Sequence, residues 1–101
     1  MELTSKQRKY LKASAHHLKP VVQVGGGGVT DQVIGKCAEE LERHELIKVK
    51  LSDSCPTPKK EAAALLSEKS RAALVQLIGR TVILFLQRKK KSAFKLPKAE
   101  A

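Results

Sequence analysis

The sequence predicts an α/β fold in which three helices and a mixed four-stranded sheet follow the order α-β-α-β-α-β-β. Three segments repeat apolar residues at helical spacing, and four short aliphatic runs have the length of strands. The last two runs are separated by little more than Gly79 and Arg80, which predicts an antiparallel hairpin. Strands joined through helices are expected to pair in parallel or to lie near one another, so the sheet is predicted to be mixed, in a single α/β layer.

The first predicted helix is amphipathic. Thr4 or Ser5 can cap it, and it is expected to run to about His17 because Pro20 enforces its end. On a helical wheel the apolar and the basic residues fall on opposite sides. The apolar side carries Leu3, Tyr10, Leu11 and Leu18, and the basic side carries Lys6, Arg8, Lys9 and Lys12.

A strand and a second helix flank a run of glycines. Pro20–Val24 is rich in β-branched residues and predicts the strand. Thr30 is a good N-cap for a helix that is expected to end near His44. The apolar face of this helix is predicted to contain Val33, Ile34, Cys37, Ala38 and Leu41.

The next segment predicts a strand and a third helix. Leu46–Leu51 alternates, so a half-buried strand is expected with Lys48 and Lys50 on its outer face. Thr57 and Pro58 fit the cap and first-turn positions of a helix that continues to about residue 69.

The hairpin strands are predicted at residues 74–78 and 82–86, after which the chain becomes polar and basic. Residues 1–87 are therefore predicted to form one domain. Residues 88–101 are predicted to form a flexible basic tail that can fold onto a partner.

Composition restricts the classes of partner. The 101 residues include 20 Lys and Arg against 10 Asp and Glu, a net charge of +10. This charge favours a polyanion, which could be RNA, DNA or a membrane surface, although a well-solvated basic protein explains the charge alone equally well. The longest aliphatic run, residues 82–86, is far too short to span a bilayer. With no signal peptide and two widely spaced cysteines, Cys37 and Cys55, we expect a cytoplasmic protein with free thiols.

The glycine run is the feature that points to chemistry. A strand, a glycine run and a helix N-terminus together make an anion site, because glycines let a phosphate approach free amides without a β-carbon in the way. The residues after Gly28 are Val29, Thr30 and Asp31, so the Walker pattern lacks its lysine and the dinucleotide pattern lacks its last glycine. The remaining pattern is GxxG, a motif that clamps nucleic-acid backbones in KH domains.

Three blocks of sequence together carry a family resemblance: LKPVVQVGGGGVTDQV, HELIKVKL and VQLIGRTVILF. In this order and spacing they resemble the CRM domain, for chloroplast RNA splicing and ribosome maturation, and in particular its stand-alone bacterial members. The resemblance covers roughly residues 3–86. It implies a fold similar to the C-terminal domain of bacterial translation initiation factor three. It also implies RNA binding through the GxxG loop and nearby basic residues, and association with precursors of the large ribosomal subunit.

The candidate RNA-binding residues are the loop glycines and the basic residues expected near them. They are Gly25, Gly26, Gly27, Gly28, Lys19, Lys36, Lys9, Lys12, Lys48, Lys50 and Arg80. Family loops often hold a polar or basic residue between the outer glycines, whereas this chain has glycine at both places. Backbone amides and neighbouring lysines must therefore do the binding, which favours weak sequence specificity. Because aromatic residues make up only 3% of the chain, base stacking is expected to contribute little.

No pattern supports catalysis or metal binding. Adjacent His16 and His17 point about 100° apart on a helix, so they do not converge on one ion. No GxSxG elbow occurs. We expect a monomer that is not an enzyme and has no cofactor, metal or small-molecule substrate. Two alternatives remain, a general DNA binder and a protein-interaction module that docks on an acidic partner with the glycines serving only as a turn.

Overall fold

The computed structural model describes residues 3–88, 92, 94 and 96, and it confirms the predicted fold class. All five lysines of the predicted tail lie outside the described residues: Lys89, Lys90, Lys91, Lys95 and Lys98. The elements are α1 (Ser5–Ala15), β1 (Pro20–Val24), α2 (Asp31–His44), β2 (Leu46–Leu51), α3 (Lys59–Ser70), β3 (Ala73–Ile78) and β4 (Thr81–Phe85).

The four strands form one mixed sheet in the order β1-β2-β4-β3. β1 runs parallel to β2, with α2 as the crossover between them, and β4 runs antiparallel to both β2 and β3. This topology brings the C-terminal ends of β1 and β2 to the same end of the sheet as the β3–β4 turn. The Ser52 amide donates to the Val24 carbonyl at 2.9 Å, and the Leu51 amide donates to the Arg80 carbonyl at 2.8 Å.

Both faces of the sheet are covered, so the expectation of a single α/β layer is wrong. α2 and α3 pack on one face around Val49 and Leu84, whereas α1 packs on the other face around Leu46 and Phe85. The reason is that the two central strands are apolar on both sides. β4 buries consecutive residues from Val82 to its end, and a strand of that kind needs cover on each face.

The helix caps agree with the sequence at two of three places. Thr4 and Gln7 form a capping box at α1, and Thr30 caps α2 through its side chain. At α3 the N-cap is Pro58, which makes no side-chain cap bond, and the predicted cap residue Thr57 precedes it. The Thr57 hydroxyl instead lies close to Gly28.

The apolar face of α2 differs from its prediction at one position. Ala38 is exposed, and Glu40 is buried in its place. Glu40 satisfies its carboxylate on its own helix, where Oε1 lies 3.2 Å from Lys36 Nζ and Oε2 lies 3.4 Å from His44 Nε2. A buried carboxylate is tolerated here because Lys36 and His44, one turn away on either side, contact its two oxygens.

The described residues beyond β4 contact Glu45 and Phe85. Glu45 ends α2 with a positive φ of 62° and is fully buried. Its carboxylate accepts hydrogen bonds from the Arg88 amide at 2.9 Å and from the Ser92 hydroxyl at 2.6 Å. Phe94 packs edge-on against Phe85, with ring centroids 5.5 Å apart. No sequence pattern indicated these contacts, and the flexible tail stays a prediction.

Candidate nucleic-acid interface

Three loops meet at one end of the sheet: the glycine loop at residues 25–28, the β2–α3 loop at residues 52–58 and the β3–β4 turn at residues 79–80. Arg80 joins two of them, since its Nη1 donates to the Ser52 carbonyl at 3.1 Å and its Nε lies 3.5 Å from Asp53 Oδ1. The glycine loop therefore lies at an end of the sheet where the two neighbouring loops are held together by Arg80.

Gly28 is a glycine that the fold requires. Its φ is +75°, a left-handed conformation that L side chains rarely adopt. A β-carbon at this position would lie 3.4 Å from the Thr57 hydroxyl and 3.5 Å from Pro56 Cγ. The Gly28 amide also closes the turn by donating to the Gly25 carbonyl at 3.0 Å.

The fold does not require glycine at the other three positions of the loop. None has a positive φ, and a β-carbon at Gly25 would meet nothing within 4 Å. At Gly26 it would lie 3.9 Å from Ser54, and at Gly27 it would lie 3.8 Å from Thr30, both ordinary contacts. Within the described part of the chain, the amides of Gly26 and Gly27 donate to no protein acceptor. The fold thus leaves an exposed, bare stretch of backbone at this place.

The glycine loop leads directly into the N-terminus of α2. The Thr30 hydroxyl accepts from the Val33 amide at 3.2 Å, so the remaining first-turn amides stay available, as at any helix start. Those amides and the helix dipole attract an anion. Asp31 in the first turn opposes this attraction, which leaves the neighbouring basic residues as the main source of positive potential.

Two predicted basic residues lie at this end of the sheet. Lys50 is exposed next to the end of β2, and it pairs across the sheet with Thr81 at the start of β4. Arg80 is also exposed, although Asp53 partly neutralises it. Lys59 was not among the predicted RNA-binding residues. It is the first residue of α3, and together with Arg80 it lines a pocket of about 210 Å³. Its position directly after the loop that ends at Pro58 is the signal that could have indicated it.

Three further predicted lysines lie on and beside α1, on the face of the sheet that this helix covers. Lys9 and Lys12 are exposed on the helix. Lys48 reaches the end of the same helix, where its Nζ lies 3.5 Å from the His16 carbonyl oxygen. Together with Lys50 they make one basic surface, which we call the α1 face.

The structure does not bring Lys19 and Lys36 to the glycine loop. Lys19 precedes β1 and so lies at the opposite end of that strand, about 20 Å from Gly25 by strand rise. Lys36 lies about 9 Å along α2 from Thr30 and pairs with Glu40 at 3.2 Å. Lys19 and Lys36 stay candidates for more distant contacts.

Acidic residues are placed away from the α1 face. No Asp or Glu occurs in α1 or in any of the four strands. The helices of the other face carry most of the described acidic side chains: Asp31, Glu39, Glu40, Glu42, Glu61 and Glu68. The two faces of the sheet therefore differ in charge, and the α1 face is the one with unopposed lysines.

The described residues hold no group of three or more His, Cys, Asp or Glu side chains arranged to bind a metal ion. Both cysteines are free thiols; Cys37 is buried, and this burial raises its pKa to about 11. In the same part of the chain no helix is long and apolar enough to cross a membrane.

Comparison with known proteins gives consistent matches. The family model described as CRS1 / YhbY (CRM) domain matches residues 3–85. The chain is 45% identical to Probable RNA-binding protein YqeI of Bacillus subtilis over 95 residues, which cover 94% of this chain and 99% of that protein. It is 40% identical to a Haemophilus influenzae protein named RNA-binding protein, over 82% of this chain and 84% of that protein. The solution structure of SAV1595 from Staphylococcus aureus, a hypothetical protein described as a candidate RNA-binding protein, is similar with a TM-score of 0.81 and 38% identity, covering 95% of this chain and all of that one.

Proposed function

The chain belongs to the CRS1 / YhbY (CRM) domain family. From this premise we propose that it is a non-catalytic RNA-binding protein of the cytoplasm that acts as a monomer on ribosomal RNA in precursors of the large ribosomal subunit. The glycine loop contacts phosphates at close range, and the lysines of the α1 face attract the RNA from a distance.

The observation that carries the proposal is that three of the four loop glycines are not needed by the fold. Gly25, Gly26 and Gly27 have ordinary φ values and room for a β-carbon, yet each lowers stability through backbone entropy. A ligand that approaches the main chain closely supplies the missing reason. Phosphate oxygens are acceptors, and exposed amides such as those of Gly26 and Gly27 are the donors that match them.

The distribution of charge supports a polyanionic ligand over an isolated phosphate. Lys9, Lys12, Lys48 and Lys50 extend over one helix and one strand, a surface much larger than a single anion would occupy. Such a surface neutralises several phosphates at once. It contains no exposed aromatic side chain for base stacking among the described residues, so recognition of RNA backbone and shape is favoured.

Replacement of the two central glycines tests the loop. In fluorescence anisotropy with a structured ribosomal RNA fragment, we expect Gly26→Ala combined with Gly27→Ala to raise Kd about tenfold, the loss of one charge-assisted hydrogen bond. Gly35→Ala is the matched control, because Gly35 is exposed on α2 and a β-carbon there meets nothing within 4 Å. Unchanged binding by the loop variant would favour the interaction module in which the glycines are only a turn.

The choice of RNA is tested separately. Cell extract is sedimented through a sucrose gradient, and each fraction is probed for the protein. We expect it to migrate with large-subunit precursors and to leave those fractions after RNase treatment. A protein that stays at the top of the gradient would remove the ribosome from the proposal. Equal affinity for RNA and DNA duplexes of one sequence would instead favour the general nucleic-acid binder.

A further inference from the structure

The α1 face contains a part of the sheet that the helix does not cover. α1 packs over the end of the sheet that includes Leu46, Val75 and Phe85. Beyond the end of the helix the strands continue, and the register places side chains of all four strands in one row near the glycine loop. That row consists of Gln23, Lys50, Thr81 and Ile78; the next row contains Lys48, Ile83 and Gln76.

A groove of about 560 Å³ lies between the last turn of α1 and this uncovered part of the sheet. Ile83 and Ile78 line it from the sheet, and Lys12 and His16 line it from the helix. Lys48 spans one side, since its Nζ lies 3.5 Å from the His16 carbonyl oxygen. The groove therefore has an apolar floor and a cationic rim.

Ile78 is the residue that the fold does not explain. Its side chain is 54% exposed at the end of an edge strand, although its neighbours in the same row are polar. Among the described residues, Val21 is the other large apolar side chain with comparable exposure, at 39%, and it lies on the opposite edge strand. An exposed isoleucine beside two lysines fits a ligand that is both apolar and anionic.

We propose that this groove holds an unpaired nucleotide of the bound RNA, with its base against Ile78 and Ile83 and its phosphate near Lys12 and Lys48. The proposal rests on the proposed function, which supplies RNA as the ligand. A paired base hides its faces in the helical stack, so only a nucleotide from a bulge, a loop or a strand end can enter. The Gln76 side chain lines the same groove and can both donate to and accept from a base edge.

The groove and the glycine loop are separate contacts on one surface. Three strand spacings separate β1 from β3, which places them about 14 Å apart across the sheet. Lys50, on β2, lies between the groove and the glycine loop in the row that contains Gln23 and Thr81. An RNA that touches both therefore crosses the sheet, with paired backbone near the loop and the unpaired nucleotide beside α1. Neither α1 nor any of the four strands carries an Asp or Glu, which suits the phosphates that accompany the base.

Two RNA hairpins of matched sequence test the proposal, one fully paired and one with a single bulged 2-aminopurine. We expect the wild-type protein to bind the bulged hairpin about fivefold more tightly, the effect of burying part of an isoleucine side chain, with a change in 2-aminopurine fluorescence. Ile78→Ser should remove this preference and the fluorescence change while leaving Kd for the paired hairpin unchanged. Val21→Ser is the matched control and should keep the preference.

The two proposals fail in different ways. Equal wild-type affinity for the two hairpins, or a loss of affinity for both on Ile78→Ser, would overturn the groove proposal. If the wild-type protein still binds the paired hairpin, and the double variant Gly26→Ala, Gly27→Ala binds that hairpin more weakly, the proposed function stands. Failure of the wild-type protein to bind either hairpin would overturn both. Displacement of the bulged hairpin by an acidic peptide, with no change of 2-aminopurine fluorescence on RNA binding, would assign the groove to a protein partner.

Discussion

Arg8 Nη1 donates to the Val75 carbonyl oxygen at 3.0 Å and to the Leu74 carbonyl oxygen at 2.5 Å. The strand register of β3 is irregular between Leu74 and Gln76, so these carbonyls belong to a bulge on an edge strand. Arg8 is half-buried, whereas the sequence placed it with the lysines on the basic outer side of α1. Its role in the structure is to hold the helix on the sheet.

We predict that Arg8→Ala lowers the free energy of unfolding by about 1.5–3 kcal/mol, because two partly buried carbonyls lose a charged donor. Lys9→Ala, one residue along the same helix, is exposed and should change it by less than about 0.5 kcal/mol. Chemical denaturation followed by circular dichroism measures both. Equal denaturation midpoints for the two variants would mean that Arg8 belongs to the solvated basic surface and does not hold the helix on the sheet.

The sequence predicted the elements well because each has a local signal. Thr4 and Thr30 cap the helices that they were expected to cap, and the alternation of β2 predicted which lysines stay outside. These signals operate within one turn or one strand. The class of fold then followed from the order of the elements, which leaves few topologies for a chain of this length.

The arrangement of the site could not be predicted in the same way. Lys19 is close to the glycine loop in sequence, but the five residues of β1 carry the chain to the other end of the sheet before the loop begins. Arg8 and Lys9 are neighbours in sequence that the helical wheel places on the same basic side, and only the position of the β3 bulge decides which of them is bound. Phe94 lies after a polar segment, and its partner Phe85 is known only from the packing.

Gly28 and Gly26 should respond to alanine in opposite directions. Gly28→Ala forces a positive φ on an L side chain and should lower the free energy of unfolding by about 1–2 kcal/mol. Gly26→Ala restricts the unfolded chain without strain and should raise it by about 0.4–1 kcal/mol. Thermal and urea unfolding measure both changes. A destabilised Gly26→Ala variant would mean that the fold, and not a ligand, accounts for this glycine.

The contact between Phe94 and Phe85 predicts that the C-terminal segment stabilises the domain. Phe94→Ala should lower the free energy of unfolding by about 1–3 kcal/mol, since it removes an aromatic pair and uncovers part of the apolar cluster around Leu46 and Phe85. Lys60→Ala, exposed on α3, serves as the surface control. An unchanged midpoint for Phe94→Ala would support the flexible tail that the sequence predicts.

Burial raises the pKa of Cys37 from 9.0 to about 11, so its thiolate is scarce in the folded protein. At pH 8 we expect a disulfide reagent to modify Cys55 quickly and Cys37 only upon unfolding. Because the folded-state pKa is the higher one, the contribution of Cys37 to stability is complete below pH 9 and is lost as the pH rises toward 11. Fast modification of a Cys55→Ser variant at pH 8 would contradict this.

The salt dependence of RNA binding tests whether the α1 face is the interface. If about six phosphates are neutralised, log Kd plotted against log salt concentration for a duplex should have a slope near 5, using about 0.9 for each contact. Lys48→Gln combined with Lys50→Gln should reduce that slope by about 2. The control replaces Lys60 and Lys69 by glutamine, because both are exposed on α3, across the sheet from α1. A control variant that lowers the slope equally would mean that net charge attracts RNA without a preferred face, and the assignment of the α1 face would then be wrong.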